Sequence, residues 1–451
     1  MVNEWDLPHL RTAFRLGGPK ENSAIQIYGV KFYPYQGDTD PFFAVTGHSE
    51  TIICRPPQSK EKGVEIIRWF RDDDPDASLN SCAWSQDLKT GNPLVCVAGK
   101  SSKVKILDVK TGKIHRTLVG HGKEINDLAV STANPQILAS ASGDRSIRLW
   151  TLDPAYEHQP CAVICAGEGH SESVLTVAFH HSGRYLLSGG MDHHVNLWVL
   201  PELPNASTGT DKPVLLHYPH FSTSAIHHDF VDCVAFHDDL ILSKASREGC
   251  IILWKITGFS SSKTPPASRE APTTHELQET RSAFGDGFER LLQFDTPGTD
   301  WFYMRFGLFN QPFKHPVLVM ANDNSKISFW DLQRLEEYEE GEEPWLAKRV
   351  KKSGSSLLRV DSPASTASSG TGKGSKENRS SIPRGPVIDL VRSKKYDVSD
   401  PFKNLEAHQS VTVPKVKFTG RQAAWSPGGE WCVVVGDHGM VAVLGRWGRS
   451  G

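Results

Sequence analysis

Cysteine is scarce in this chain of 451 residues: there are eight, and no two form a Cys-x-x-Cys pair. Cys161 and Cys165 are the nearest neighbours, but no second ligand pair at zinc spacing accompanies them. That argues against a structural metal site and leaves Cys54, Cys82, Cys96, Cys161, Cys165, Cys233, Cys250 and Cys432 as reduced, mostly buried thiols. Long apolar runs are also missing. The N-terminus lacks the run of about 7–15 apolar residues that a secretory signal needs, and no stretch approaches the roughly 18 of a membrane helix. The expectation is a soluble, intracellular protein with no membrane contact. Nor does one sign of charge prevail, since 50 Lys and Arg against 52 Asp and Glu leave a formal net charge of −2. Any basic surface for nucleic acid has to be local. Finally, no Gly-x-Ser-x-Gly, P-loop, His-Glu-x-x-His or dinucleotide fingerprint stands in a suitable context. The paired histidines His180-His181, His193-His194 and His227-His228 read as strand or turn neighbours whose side chains diverge. No catalytic residue, metal or cofactor is expected, and a binding scaffold is favoured over an enzyme.

What the chain does have is a repeat. Gly120 to Trp150 and Gly169 to Trp198 share a Gly-His, an alternating apolar strand, a small-residue strand, an Asp and a closing Trp. His121, Asp144 and Trp150 recur at His170, Asp192 and Trp198, 48 or 49 residues on. Further units close at Trp254 and Trp330, and degenerate copies precede and follow them, which makes seven. Each contains short strands of period-2 alternation, such as Val174, Thr176 and Ala178 against Leu175, Val177 and Phe179, separated by turn residues. Such sheets repeated radially form a β-propeller. The expected fold is therefore all-β, a seven-bladed WD40 β-propeller, in which a turn His bonds a loop Asp and the Trp covers the blade packing. Of the four closing tryptophans, only Trp330 keeps the literal dipeptide, with Asp331. The propeller is placed at 25–447, with 1–24 as an N-terminal extension.

Two stretches do not fit the repeat. Residues 257–280, rich in Ser, Thr and Pro, read as a loop insertion between the fifth and sixth units. Residues 346–398 form a longer insertion, carrying 12 Lys or Arg against three acidic residues between Lys348 and Lys395. Its composition cannot bury a core. It reads as a solvated basic linker, with weak nucleic-acid contact or pairing with the acidic "LEEYEEGEEPW" before it as alternatives.

The stretches "LVGHGKEIND", "GGMDHHVNLW", "FSTSAIHHDFVDCVAF", "DLILSKASREGCIILWK" and "WFYMRF", in this order, resemble the EED or extra sex combs family, the WD40 subunits of Polycomb repressive complex 2. The likeness runs from about residue 25 to 445, and the long insertions suggest a fungal-type branch. The resemblance implies a noncatalytic nuclear subunit that holds an Enhancer of zeste type histone methyltransferase together with a Suppressor of zeste type subunit. It also implies reading of the trimethylated histone H3 tail, stimulation of the methyltransferase and gene repression. Carried over residue by residue, the methyl-lysine cage falls on Tyr28, Asn80, Phe302 and Tyr303, and histone-peptide contacts fall on Phe230 and Arg421. Asn80 departs from the family's tyrosine, so one aromatic wall is missing unless a ring such as Trp69 or Phe70 fills in. The alternative is a structural WD40 scaffold for the methyltransferase that has lost methyl-lysine reading. A ubiquitin-ligase adaptor or an enzyme propeller has no F-box-like segment or catalytic set to support it.

Aromatic walls suit a trimethylammonium group, which has no N–H to donate and a diffuse charge, because each ring face contributes roughly 0.5–2 kcal/mol. Read as a regular strand, Phe302, Met304 and Phe306 face one way and Trp301, Tyr303 and Arg305 the other. Phe302 and Tyr303 then share one cage only if the preceding "DTPGTD" loop frees Phe302 from alternation. Arg305 is expected to be a buried ion-pair residue of that strand.

Overall fold

The structure is a computed structural model that describes residues 3, 5–16, 26–35, 40–57, 63–74, 77–273, 278–336, 396 and 398–447. The basic insertion at 346–398 lies outside the described residues apart from Tyr396 and Val398. Residues 1–332 and 398–451 form one unit and 333–397 another. The first unit contains seven sheets, each built on four antiparallel strands, and is the expected seven-bladed propeller. Counted along the chain, the innermost strands are Gly29–Phe32, Leu79–Gln86, Ile125–Val130, Val174–Phe179, Val231–His237, Gly307–Phe309 and Gly420–Trp425.

The strands form here because both faces of every blade are covered by neighbouring blades, so even "ILASAS" and "YLLSGG" are buried at every residue. The core is a ring of inter-blade layers. In one layer, Val317, Val319 and Phe329 of blade six pack with Cys432, Val434 and Ala442 of blade seven. In another, Leu187 and Leu197 of blade four pack with Val234 and Ile252 of blade five.

The repeat signature is a hydrogen-bond relay. In blade three Trp150 Nε1–H donates to Ser140 Oγ at 2.8 Å, Ser140 Oγ meets His121 Nε2 at 2.7 Å, and His121 Nδ1 meets Asp144 at 2.8 Å. Blade four repeats it with Trp198, Ser188, His170 and Asp192, and blade five with Trp254, Ser243, His227 and Glu248. The serine, which the sequence reading passed over, connects Trp to His. Blade six, despite its literal Trp-Asp, is wired differently. Trp330 Nε1–H donates to the Leu405 carbonyl, and Asp331 faces His315.

Burial alone would raise the Asp192 carboxyl, but His170, His194 and the Ser171 amide outweigh it and bring it down to about 2. A carboxylate held below its unfolded value stabilises the fold above that value and loses this contribution as pH falls through its folded one. Asp192→Asn is therefore expected to be about 1–3 kcal/mol less stable at pH 7. The gap should close as pH falls from about 4 to about 2, and urea unfolding of both proteins across that range measures it.

Two sequence boundaries change. The stretch 1–24, set outside the propeller, contributes His9–Arg15 as the outer strand of blade seven, paired from His9–Gly445 to Arg15–Met440. The ring is thus closed by pairing His9–Arg15 with Met440–Gly445. Residues 257–280 fall inside blade five, on the connection between Cys250–Ile256 and that blade's outer strand Phe288–Asp295. That connection sends Thr280–Ser282 back as a fifth strand on blade four. Two other connections do the same, with Val214–Leu216 added to blade three and Asn404–Leu405 added to blade five, both in parallel. The His180-His181 rings do not diverge: they leave the strand at a turn and lie 4.0 Å apart.

Candidate functional site

The site begins with a defect repeated around the channel. Five innermost strands carry a bulge at their second residue, which falls on Asn80, Asn126, Leu175, Asp232 and Arg421. A bulge takes a residue out of strand alternation and re-aims it. Tyr28 holds the corresponding place in blade one: Gly47 crowds Gln26 and Ile27 there as Gly99 crowds Ser78 and Leu79 in blade two. The next residue must be small, because a Cβ on Gly29 would stand 2.6 Å from Thr46 Cγ2 and 3.3 Å from the Cys82 amide nitrogen of blade two.

The aromatic heptapeptide is not the strand that alternation suggested. Trp301 to Met304 are irregular, and Arg305 makes a single bridge to Gln422 before Gly307–Phe309 begins. The chain passes from solvent to interior, with Trp301 60% and Phe302 39% exposed but Tyr303 only 5%. Tyr303 has φ +67°, a left-handed conformation that costs a bulky residue about 1 kcal/mol or more. This turn lets the consecutive rings of Phe302 and Tyr303 meet. Asp232 holds it: its Oδ2 accepts the Tyr303 N–H at 2.9 Å and the Met304 N–H at 3.3 Å. Asp232 is in turn paired with Lys244 at 3.3 Å, and both side chains are fully buried.

The rings form one contiguous set. Tyr28 and Tyr303 lie 5.6 Å apart edge to face, Phe302 and Tyr303 5.5 Å apart, and Phe230 and Phe302 6.2 Å apart. Tyr303 spans from blade six to blade three, where its hydroxyl donates to the Asn126 carbonyl. One face of its ring is backed by the Arg305 guanidinium, 4.3 Å from the centroid. Arg305 is the expected buried ion-pair arginine: it meets Asp127 at 2.7 Å and donates to the carbonyls of Asn126 and Leu175. Burial pushes both phenols up, with Arg305 opposing at Tyr303 and Arg421 opposing at Tyr28. Both rings therefore stay neutral at physiological pH.

Arg421, expected at a bound peptide, is committed within the protein. It forms a bidentate pair with Asp437 at 2.8 and 3.1 Å and donates to the Phe302 carbonyl at 2.8 Å. Its guanidinium also lies 5.6 Å from the Tyr28 centroid, so it ties blades seven, six and one around the rings. Trp69 and Phe70 do not replace the missing wall: they belong to Glu65–Arg71, the outermost strand of blade one, away from the channel. Asn80 occupies its bulge between Tyr28 and Asn126 on the flanking blades. Sequence reasoning missed Asp232 and Lys244, although a carboxylate in "FVDCV" and a lysine in "LILSKAS" interrupt apolar strands and signal a buried pair. Among the described residues, no three His, Cys, Asp or Glu side chains converge as a metal site would require.

Neutral ring faces are the chemistry that suits a soft cation, and Phe302 is the most exposed ring of the set, whereas Tyr303 is buried with Arg305 over one face. Comparison with known proteins agrees with the architecture. The WD domain, G-beta repeat family matches residues 112–151 and 161–199. The Polycomb protein EED of Chaetomium thermophilum is 38% identical over 552 aligned positions, covering 99% of this chain and 97% of its own. The Polycomb protein esc of Drosophila melanogaster is 32% identical, over 69% of this chain and 71% of its own. Among solved structures, a chain of the Chaetomium thermophilum Polycomb repressive complex 2 in complex with H3K27me3 has a TM-score of 0.85 at 41% identity, covering 99% of both chains.

Proposed function

Because the chain belongs to the Polycomb EED and esc family of WD40 proteins, we propose that it is the noncatalytic WD40 subunit of a nuclear Polycomb repressive complex 2. There it holds an Enhancer of zeste type methyltransferase beside a Suppressor of zeste type subunit. Tyr28, Phe302 and Tyr303 enclose a trimethylated lysine of the histone H3 tail, and Phe230 extends the apolar surface for the flanking peptide. Occupancy of the cage by this product stimulates the methyltransferase, which is allostery between two distinct sites.

One observation carries the reading: Phe302 is 39% exposed within a ring chain, between Phe230 and a Tyr303 that Asp232 and Asn126 anchor, while Arg421 holds the carbonyl of Phe302 itself. Two or three ring walls give modest affinity, suited to a tail that has to be released.

Calorimetric titration with trimethylated and unmodified H3 peptides tests it. The trimethylated peptide is expected to bind at least about tenfold tighter, and Phe302→Ala is expected to remove that margin, since one cation–π wall is worth on the order of a factor of ten. Equal binding of both peptides by both proteins would leave the second reading, a scaffold without methyl-lysine recognition, for which the amide at Asn80 is the motivating observation.

A further inference from the structure

We infer that Asn80 sets the methylation-state preference of this site, so that it accepts a dimethylated lysine at least as well as a trimethylated one; the inference rests on the methyl-lysine reading above. Its basis is the ring of bulge residues. Tyr28 and Asn126, which flank Asn80 on blades one and three, both touch Tyr303, the first through its ring and the second through its carbonyl. Asn80 is thus the residue at that level of the rim, on the blade between the two that Tyr303 contacts.

The other polar bulge side chains are already engaged. Asn126 Nδ2 donates to the Val174 carbonyl at 2.8 Å and to Ser173 Oγ at 3.2 Å. Asp232 accepts from Lys244 and from the Tyr303 and Met304 amides. Arg421 is held by Asp437 and the Phe302 carbonyl. The half-buried Asn80 amide has no hydrogen-bond partner among the described residues, which leaves its oxygen available to a ligand.

The chemistry of the ligand decides what that oxygen is for. A trimethylammonium group has no N–H, so against it the amide only loses water, and the aromatic wall that would have gripped the third methyl is absent. A dimethylammonium group carries one charged N–H that ring faces satisfy poorly. An acceptor at the cage wall turns that unmet donor into a charge-assisted hydrogen bond. Asp127, Asp232 and Asp437 cannot serve, because each is paired with a cationic side chain of the protein.

The test titrates H3 peptides that are unmodified, dimethylated and trimethylated at the lysine into the wild-type protein, Asn80→Ala and Asn80→Tyr, with thermal unfolding as a check that all three are folded. The wild type is expected to bind the dimethylated peptide as tightly as the trimethylated one or tighter. Asn80→Ala should weaken the dimethylated peptide about tenfold, or 1.4 kcal/mol, and change the trimethylated peptide much less. Asn80→Tyr should reverse the order in favour of trimethylation. Tighter wild-type binding of the trimethylated peptide overturns the inference. So does a uniform change across all peptides in Asn80→Ala, which would place the amide on the peptide backbone instead. If neither methylated peptide exceeds the unmodified one on the wild type, the methyl-lysine reading itself fails, a result distinct from either of these.

Discussion

Asp232→Ala is expected to cost about 3–5 kcal/mol of stability and to abolish methyl-lysine binding in the protein that remains folded. Asp232 and Lys244 are both fully buried, so removing the carboxylate leaves an ammonium group in the interior with little but the Ala245 carbonyl to receive it. The same carboxylate receives the Tyr303 and Met304 amides, and without it two more buried donors lose their acceptor. With those bonds gone, the left-handed strain at Tyr303 is opposed only by the Tyr303 hydroxyl bond to Asn126 and the bonds of Arg421 and Arg305 on either side, and the backbone relaxes away from the geometry that brings Phe302 and Tyr303 within 5.5 Å. Urea unfolding gives the first effect and peptide titration at low temperature the second. A second variant separates them. Asp232→Asn with Lys244→Met removes both charges but keeps an oxygen for the Tyr303 amide, and it is expected to recover most of the stability and binding. If Asp232→Ala instead binds trimethylated peptide like the wild type, Asp232 does not position the rings.

The parts of this molecule that could be read from the sequence are those whose physics acts within one repeat. His121, Asp144 and Trp150 recur at fixed spacing because each relay closes within its own blade, so the pattern survives in the chain as periodicity. Features that depend on distant partners left no such trace. The parallel fifth strands pair through backbone groups, and nothing in "PVLLH" or "KNLE" specifies which blade they join. Alternation failed at Trp301 to Met304 because the backbone there is set by a carboxylate some 70 residues earlier in the chain, at Asp232. Tyr28, Phe302, Tyr303 and Phe230 came from family resemblance, and the structure places their rings in contact. Trp69 was proposed as a substitute wall on sequence proximity alone, but it lies three strands outward from the channel.

Removing residues 1–16 is expected to lower stability by about 5 kcal/mol or more, a large part of what a domain normally has. The deletion strips the outer strand from blade seven and exposes the backbone edge of Met440–Gly445. It also removes Leu7, buried in the layer between blades six and seven, and Leu16, buried in the layer between blades seven and one; each contributes roughly 1.5–3 kcal/mol. The damage should reach the ring cluster without touching any of its members. Leu16 N–H bonds the Gly439 carbonyl, two residues from Asp437, and Asp437 holds the Arg421 side chain that reaches Phe302 and Tyr28. A loosened blade seven therefore releases the clamp as well as the seam. Thermal unfolding of the truncated chain should show an early transition, and trimethylated-peptide binding should weaken in parallel with it. Unchanged peptide affinity in a destabilised truncation would show that blade seven supports the ring of blades but not the mouth of the channel, and that Arg421 is dispensable to the site.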